Sequence, residues 1–137
     1  MRNILVDTGA LIALFNPKDR FHSQAFNLFS SLKRTDKLLT TWPVITECSF
    51  ALLRNRDHFY DWLAQDVLQV ENFDLDDFDF MRRWIKHSDR QIDFADASMV
   101  WLAIHKKTDL IATTDFNDFE TYRLPNKKPF KILLNRL

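Results

Sequence analysis

Four acidic residues occupy positions where layered α/β proteins place their chemistry. Asp7 ends a short apolar run at the N-terminus, and Asp115 follows the apolar residues 110–113. Glu47 lies about one turn into a predicted helix, and Asp96 lies near the start of another. Ligands of open α/β sheets bind outside the carboxyl ends of the strands, so a parallel sheet would bring these acids to one rim. For Asp96 this requires that its helix also begins at that rim.

The chemistry of such a rim follows from its charge. Two carboxylates about 4 Å apart repel by about 4 kcal/mol at an effective dielectric constant of 20, which is about three pKa units. Four ionised carboxylates in one hollow therefore require a cation. Mg²⁺ prefers oxygen ligands and takes one or two carboxylates directly, while the other acids hold its waters. We expect a site with one or two metal ions that activates water and stabilises a phosphoryl transition state.

The elements that would position these acids alternate along the chain. Periodicity predicts strands at 3–7, 37–40, 67–70, 110–113 and, at the sheet edge, 130–133, with Gly9 turning the first strand into its helix. Helices are predicted at 10–15, 21–33, 42–54, 59–65, 74–86 and 92–106, the third of them capped by Thr41, and 114–129 is predicted to be irregular. Strands alternating with helices predict a three-layer α/β/α sandwich with a mainly parallel sheet of four to five strands.

Composition sets the class of protein. The chain has 137 residues, 46% of them hydrophobic with 13 Phe and 4 Trp, which predicts one domain (1–137) with a packed core. Its 19 basic and 19 acidic residues cancel, so a nucleic-acid surface would have to be a local patch. Cys48 is the only cysteine, which excludes an intrachain disulfide and favours a buried apolar role. Without a leader or a membrane-length apolar run, we expect a soluble, cytoplasmic protein.

Together these motifs resemble the PIN domain, and more narrowly the small VapC-type toxins of toxin–antitoxin pairs. The resemblance spans essentially the whole chain in the expected order, and the ordered combination is more specific than any single motif. The residues that carry it are Val6-Asp7-Thr8, Glu47 after a Pro-containing helix start, Asp93-Phe94-Ala95-Asp96-Ala97 and Thr113-Thr114-Asp115-Phe116-Asn117-Asp118-Phe119. One departure is the turn 106–109, where family members commonly have Gly.

The resemblance implies a metal-dependent endoribonuclease with a five-stranded parallel sheet that uses one or two Mg²⁺ or Mn²⁺ ions. It also implies an RNA substrate, an antitoxin protein as partner, and a homodimer. Asp7, Glu47, Asp96 and Asp115 match the catalytic and metal-binding acids of the family. Thr8 and Thr113 match positions that help to hold the first acid or the metal waters, and Asp93 and Asp118 match accessory acids.

Other interpretations of these residues stay open. Each acid could be structural, because acids also end strands, favour helix N-termini and form turns. The protein would then be a non-catalytic PIN-like module that binds nucleic acid or protein. A phosphotransferase with Asp7 as nucleophile is disfavoured, because that chemistry needs a second Asp two residues later, where Gly9 stands.

The remaining candidate residues have weaker patterns. The histidines His22, His58, His87 and His105 have no metal-ligand spacing and are expected to be surface or satisfied polar groups. The aromatic stripe Phe73, Phe78, Phe80 and Trp84 is expected to be mostly core, with a part that could serve a dimer or antitoxin surface. A basic set could flank the rim and meet phosphates: Arg54, Arg56, Arg82, Arg83, Lys86, Lys106 and Lys107.

Overall fold

Strands and helices alternate along the chain, and the computed structural model describes all of residues 1–137. The strands are β1 (Asn3–Val6), β2 (Lys37–Thr41), β3 (Leu68–Glu71), β4 (Leu110–Ala112), β5 (Arg123–Leu124), β6 (Lys128–Pro129) and β7 (Lys131–Ile132). The helices are α1 (Thr8–Phe15), α2 (His22–Ser30), α3 (Trp42–Leu52), α4 (Arg56–Leu63), α5 (Leu75–Lys86), α6 (Phe94–Lys106) and α7 (Phe116–Phe119). None of these helices combines the length and apolarity that a membrane crossing requires.

Five of the strands form one sheet, in the order β3-β2-β1-β4-β7, and every neighbouring pair is parallel. The central strand is β1, whose Leu5 lies opposite Leu39 of β2 and Ile111 of β4. Because parallel strands run in one direction, the residues that follow β1, β2 and β4 meet at the same edge of the sheet. The predicted α/β fold is confirmed, including the fifth strand at the sheet edge.

The core is centred on β1 and α6. Ile4, Leu5 and Val6 have no exposed surface, as expected of a strand covered on both faces of a parallel sheet. Helix α6 packs against β1, β2, α3 and α5, and all nine residues 95–103 are buried. Asp96 is the one ionisable side chain in this buried run, and a buried carboxylate is expensive unless other groups compensate it.

Gly9 does not form the turn predicted after the first strand. Helix α1 already begins at Thr8, and Gly9 does not have a left-handed backbone. The position requires glycine for a different reason, because a Cβ atom there would lie 2.1 Å from Thr114 Oγ1. The missing side chain lets the segment after β4 approach α1 next to Asp7.

Thr41 also differs from its predicted role as the cap of α3. Its hydroxyl lies 2.7 Å from Ser98 Oγ and makes no capping hydrogen bond to the helix.

The segment 114–129 was predicted to be irregular, and this was wrong. It contains α7 and a small antiparallel pair, β5 with β6, and it buries Phe116, Phe119 and Tyr122. A four-residue helix and two-residue strands are too short to show a hydrophobic period in the sequence. The short helix α7 contains Asp118 and is capped by Asp115, two of the acids predicted for the site.

The aromatic stripe around α5 is less buried than predicted. Met81 is fully buried, but Phe78 is 41% exposed and Phe80 is 39% exposed. Positions 78 and 80 lie about 200° apart around a helix, so they cannot both face the core. Leu75, at the start of α5, is 82% exposed.

Candidate metal centre and active site

Asp7 lies at the carboxyl end of the central strand and is only 4% exposed. Its backbone N–H donates to the carbonyl of Ala112 at 3.0 Å, which extends the β1–β4 pairing to the rim. Thr113, the first residue after β4, donates its hydroxyl to Asp7 Oδ2 at 2.9 Å. The central strand β1 and its neighbour β4 are thus followed by an acid and by the hydroxyl that orients it.

Asp96 reaches the same rim from the first turn of α6 and is 6% exposed. The Tyr122 hydroxyl donates to Asp96 Oδ2 at 2.6 Å. Tyr122 is itself held between Trp84 and Phe119, at ring-centroid distances of 5.3 and 5.1 Å. Asp93 caps α6, because its carboxylate accepts the backbone N–H of Asp96 at 2.8 Å. The start of α6 is therefore fixed with Asp96 pointing into the cluster of acids.

Asp115 and Asp118 come from the short helix α7. Asp115 caps this helix by accepting the backbone N–H of Asp118 at 3.2 Å. Asp96, Asp115 and Asp118 each bring a carboxylate oxygen within 4.8 Å of the other two. Three carboxylate oxygens at this spacing suit a hard cation that prefers oxygen ligands. Asp118, predicted only as an accessory acid, stands in this trio together with Asp115.

Glu47 approaches from α3, on the more exposed side of the site. The Thr8 hydroxyl donates to Glu47 Oε1 at 2.9 Å, which ties α3 to the start of α1. Partial burial raises the pKa of Glu47, and the nearby charge of Asp93 raises it further. A glutamate whose pKa lies closer to neutrality is a better proton acceptor for general base chemistry.

Removal from water dominates the titration of the buried acids. It raises the pKa of Asp7 to about 7 and the pKa of Asp96 to about 8, and the negative charge of Asp115 adds to both. The hydrogen bonds from Thr113 and Tyr122 act in the opposite direction and are outweighed. Burial also raises the pKa of Asp115, with Asp118 contributing. Without a cation this cluster retains protons near neutral pH, and a divalent cation would displace them, so the residues present fit a metal site.

An arginine that the sequence interpretation did not include faces this cluster. Arg90 lies in the loop before α6 and forms an ion pair with Asp118. Its guanidinium also lies 5.9 Å from the ring centroid of Tyr122. Arg90 thus places a positive charge at the acid cluster.

Three of the basic residues that were predicted to flank the rim pair with acids outside the cluster. Arg82 and Arg83 both pair with the carboxylate of Asp79, and Lys106 pairs with Glu71. Arg54, Arg56, Lys86 and Lys107 take part in none of the ion pairs. Among the ion pairs, that of Arg90 alone involves an acid of the cluster, and a contact of the other basic residues with phosphates stays a prediction.

All eight residues predicted for the site lie at this one edge of the sheet. Hydrogen bonds and charge interactions link Asp7, Thr8, Glu47, Asp93, Asp96, Thr113, Asp115 and Asp118. Their role in metal binding or catalysis stays a prediction. Sequence reasoning missed Tyr122 and Arg90. Tyr122 lies beyond the end of α7 and Arg90 lies in a loop, so no sequence pattern indicates a role for either residue.

Cys48 and the histidines stand apart from this chemistry. Cys48 is fully buried and free, and burial raises the pKa of its thiol, so it behaves as the predicted small apolar residue. His22 bonds the carbonyl of Ala13 at 2.8 Å, and His105 stacks on Trp101.

The family model of the PIN domain matches residues 4–124. The fold is similar to that of VapC20 from Mycobacterium tuberculosis, a sarcin–ricin loop cleaving toxin, with a TM-score of 0.74 and 24% identity over 84% of this chain and 93% of that chain. It is also similar to VapBC2 from Rickettsia felis, bound to a DNA fragment from its promoter, with a TM-score of 0.66 and 14% identity over 95% of this chain and 98% of that chain. No curated protein matches the sequence. Because the family model covers most of its length, this chain belongs to the PIN domain family.

Proposed function

We propose that this protein is a metal-dependent endoribonuclease that hydrolyses phosphodiester bonds in RNA. The observation that carries the proposal is the convergence of carboxylates from β1, α3, α6 and α7 at one rim, with Asp7 and Asp96 buried there. Two buried acids with further carboxylates around them are costly in a protein that never binds a cation. Membership in the PIN domain family supports the same conclusion.

In this proposal Asp96, Asp115 and Asp118 hold one Mg²⁺ or Mn²⁺ ion, and Asp7 and Glu47 bind its waters or a second ion. When bound, the metal supplies activation of a water nucleophile and neutralises charge on the phosphodiester. The two hydroxyls of Thr113 and Thr8 orient Asp7 and Glu47, at 2.9 Å in each case. Tyr122 orients Asp96 in the same way, at 2.6 Å.

The proton transfers follow from the positions of the acids. Glu47 accepts a proton from the attacking water, whose oxygen forms a bond to phosphorus. The bond from phosphorus to the 3′ oxygen breaks, and that oxygen takes a proton from solvent. The products are a 3′ hydroxyl and a 5′ phosphate, as in the family that the sequence resembles.

The biological setting belongs to the same proposal. We assign the chain as one nuclease domain (1–137) that acts as the toxin of a toxin–antitoxin pair in the cytoplasm. Its partners would be an antitoxin protein and a second copy of itself. Support comes from the similar fold of VapC20, described as a toxin, and of VapBC2, described with promoter DNA.

The decisive experiment combines cleavage with metal binding. We expect purified protein to cleave single-stranded RNA with Mg²⁺ or Mn²⁺ and not with EDTA. We expect Asp96→Asn to lose at least about 100-fold in rate, because charge stabilisation by a metal is worth several kcal/mol. Asp36→Asn is the matched control, since Asp36 pairs with Arg2 at 3.0 Å, away from the rim.

A second measurement separates the enzyme from its alternative. Mn²⁺ should raise the melting temperature of the wild-type protein, because a ligand that binds only the folded state stabilises it. Cleavage that persists in EDTA would contradict the metal-dependent proposal. Absence of both cleavage and a melting shift would favour the non-catalytic binding module.

A further inference from the structure

A groove of about 520 Å³ lies between the N-terminal turns of α3 and α6. Trp42 and Pro43 supply one wall, and Phe73 and Phe94 supply the other. The groove is also lined by Glu47 and Asp93, two members of the acid cluster. This mainly apolar groove is therefore continuous with the proposed cleavage site.

Trp42 is 54% exposed, yet its ring is held in place. The indole N–H donates to Asn72 Oδ1 at 2.9 Å. Pro43 follows at the start of α3 and restricts the backbone. Because the polar edge of the indole already has a partner, the exposed surface that remains is apolar. A flat ring fixed in advance loses little entropy when another ring stacks on it.

The opposite wall is also aromatic and rigid. Phe94 is 38% exposed and contacts Phe73 and Phe78, with ring centroids 5.8 and 5.9 Å away. Phe73 in turn packs edge-on against Trp101 at 5.7 Å. The ring of Phe94 therefore rests on the buried part of α6.

We propose that this groove binds an unstacked nucleobase of the RNA strand, next to the nucleotide whose phosphate lies at the acid cluster. Aromatic side chains stack bases of any sequence. The acids that line the groove repel phosphate groups, so the uncharged base is the part of a nucleotide that fits. The inference adds a base-binding groove to the proposed ribonuclease. It rests on that proposed function, because the function identifies the bound strand as RNA.

The test compares Trp42→Ala with Trp42→Phe and with Phe50→Ala. Phe50 is the matched control, because it is 82% exposed on the same helix and does not line the groove. Binding of a fluorescent single-stranded RNA is measured by anisotropy in Ca²⁺, a hard cation with oxygen preference, and the RNA is then checked for integrity on a gel. We expect Trp42→Ala to weaken the Kd by about tenfold to 100-fold. Trp42→Phe should recover part of this loss, and Phe50→Ala should cause none.

An abasic series identifies the occupant of the groove. Each RNA of the series lacks one base, and we expect one position at which the abasic RNA binds the wild type weakly and is insensitive to Trp42→Ala. An unchanged Kd in Trp42→Ala would overturn the inference. If that variant instead lost self-association in sedimentation while RNA binding stayed unchanged, the groove would be a protein interface.

The outcomes also distinguish this inference from the function it deepens. If metal-dependent cleavage is normal and substitution of Trp42 changes neither Kd nor KM, the base-binding proposal is refuted and the ribonuclease proposal is retained. If RNA binding depends on Trp42 but no cleavage occurs, the base-binding proposal is retained and the ribonuclease proposal is refuted.

Discussion

Replacing Asp7 by Asn should stabilise the metal-free protein at neutral and alkaline pH. Asp7 is 4% exposed and lies among Glu47, Asp96 and Asp115, and its one direct side-chain partner is the Thr113 hydroxyl. An Asn side chain has the same shape and can accept the same hydrogen bond through its carbonyl oxygen. The substitution therefore removes the buried negative charge and keeps the packing.

The expected gain follows from the pKa of Asp7, which burial raises from 3.8 to about 7. A shift of about three units corresponds to about 4 kcal/mol of unfolding free energy. Because the folded-state pKa is the higher one, wild-type stability is complete below about pH 4 and falls as the pH rises to about 7. Asn cannot ionise, so the advantage of the variant should grow from about 1–2 kcal/mol at pH 5 to at most about 4 kcal/mol at pH 8.

Urea unfolding in EDTA across pH 4–8 measures this difference. Asp36→Asn provides a control of opposite sign, because its hydrogen bonds with Arg2 lower the pKa of Asp36 to about 2. That variant should be less stable than the wild type at pH 8, and the loss should fade as the pH falls towards 2. A variant at Asp7 that is less stable than the wild type at pH 8, or whose effect is independent of pH, would refute the buried acid cluster.

Two further substitutions test individual contacts. Arg90→Gln should strengthen Mn²⁺ binding in calorimetry by up to about fivefold, because a partly exposed ion pair with Asp118 is worth up to about 1 kcal/mol and competes with the metal; weaker binding would show that Arg90 supports the site. Gly9→Ala should lower the free energy of unfolding in urea by about 1–3 kcal/mol, because its Cβ would lie 2.1 Å from Thr114 Oγ1. Adding Thr114→Ala should recover part of that loss, and a Gly9→Ala protein as stable as the wild type would contradict the close approach.

The long elements and the order of the acids could be predicted from the sequence. A helical period such as the one predicted at 74–86 contains enough residues to fix the type of the element. Parallel pairing then determines that the residues after β1 and β4 meet, so Asp7 and Thr113 share the rim. The turn at 106–109 is a local matter, because Lys107 has φ 53° and ψ 48°, a left-handed backbone that glycine adopts most readily.

What the sequence did not indicate depends on contacts between distant or very short segments. The hydrogen bond of Tyr122 to Asp96 joins residues 26 positions apart, and the Arg90–Asp118 pair joins residues 28 positions apart. No periodicity encodes such pairs. The exposure of Phe78 and Phe80 likewise depends on which line of α5 contacts α6, which tertiary packing alone determines.

The pairing of β1 with β4 has a consequence for synthesis. The Thr113 hydroxyl that orients Asp7 is added to the chain 106 residues after it. A nascent chain therefore cannot assemble the acid cluster until residues 113–118 have been synthesised, since domains fold only as their segments emerge. For the proposed ribonuclease, the messenger and the ribosome that produce the protein are not exposed to a half-made active enzyme.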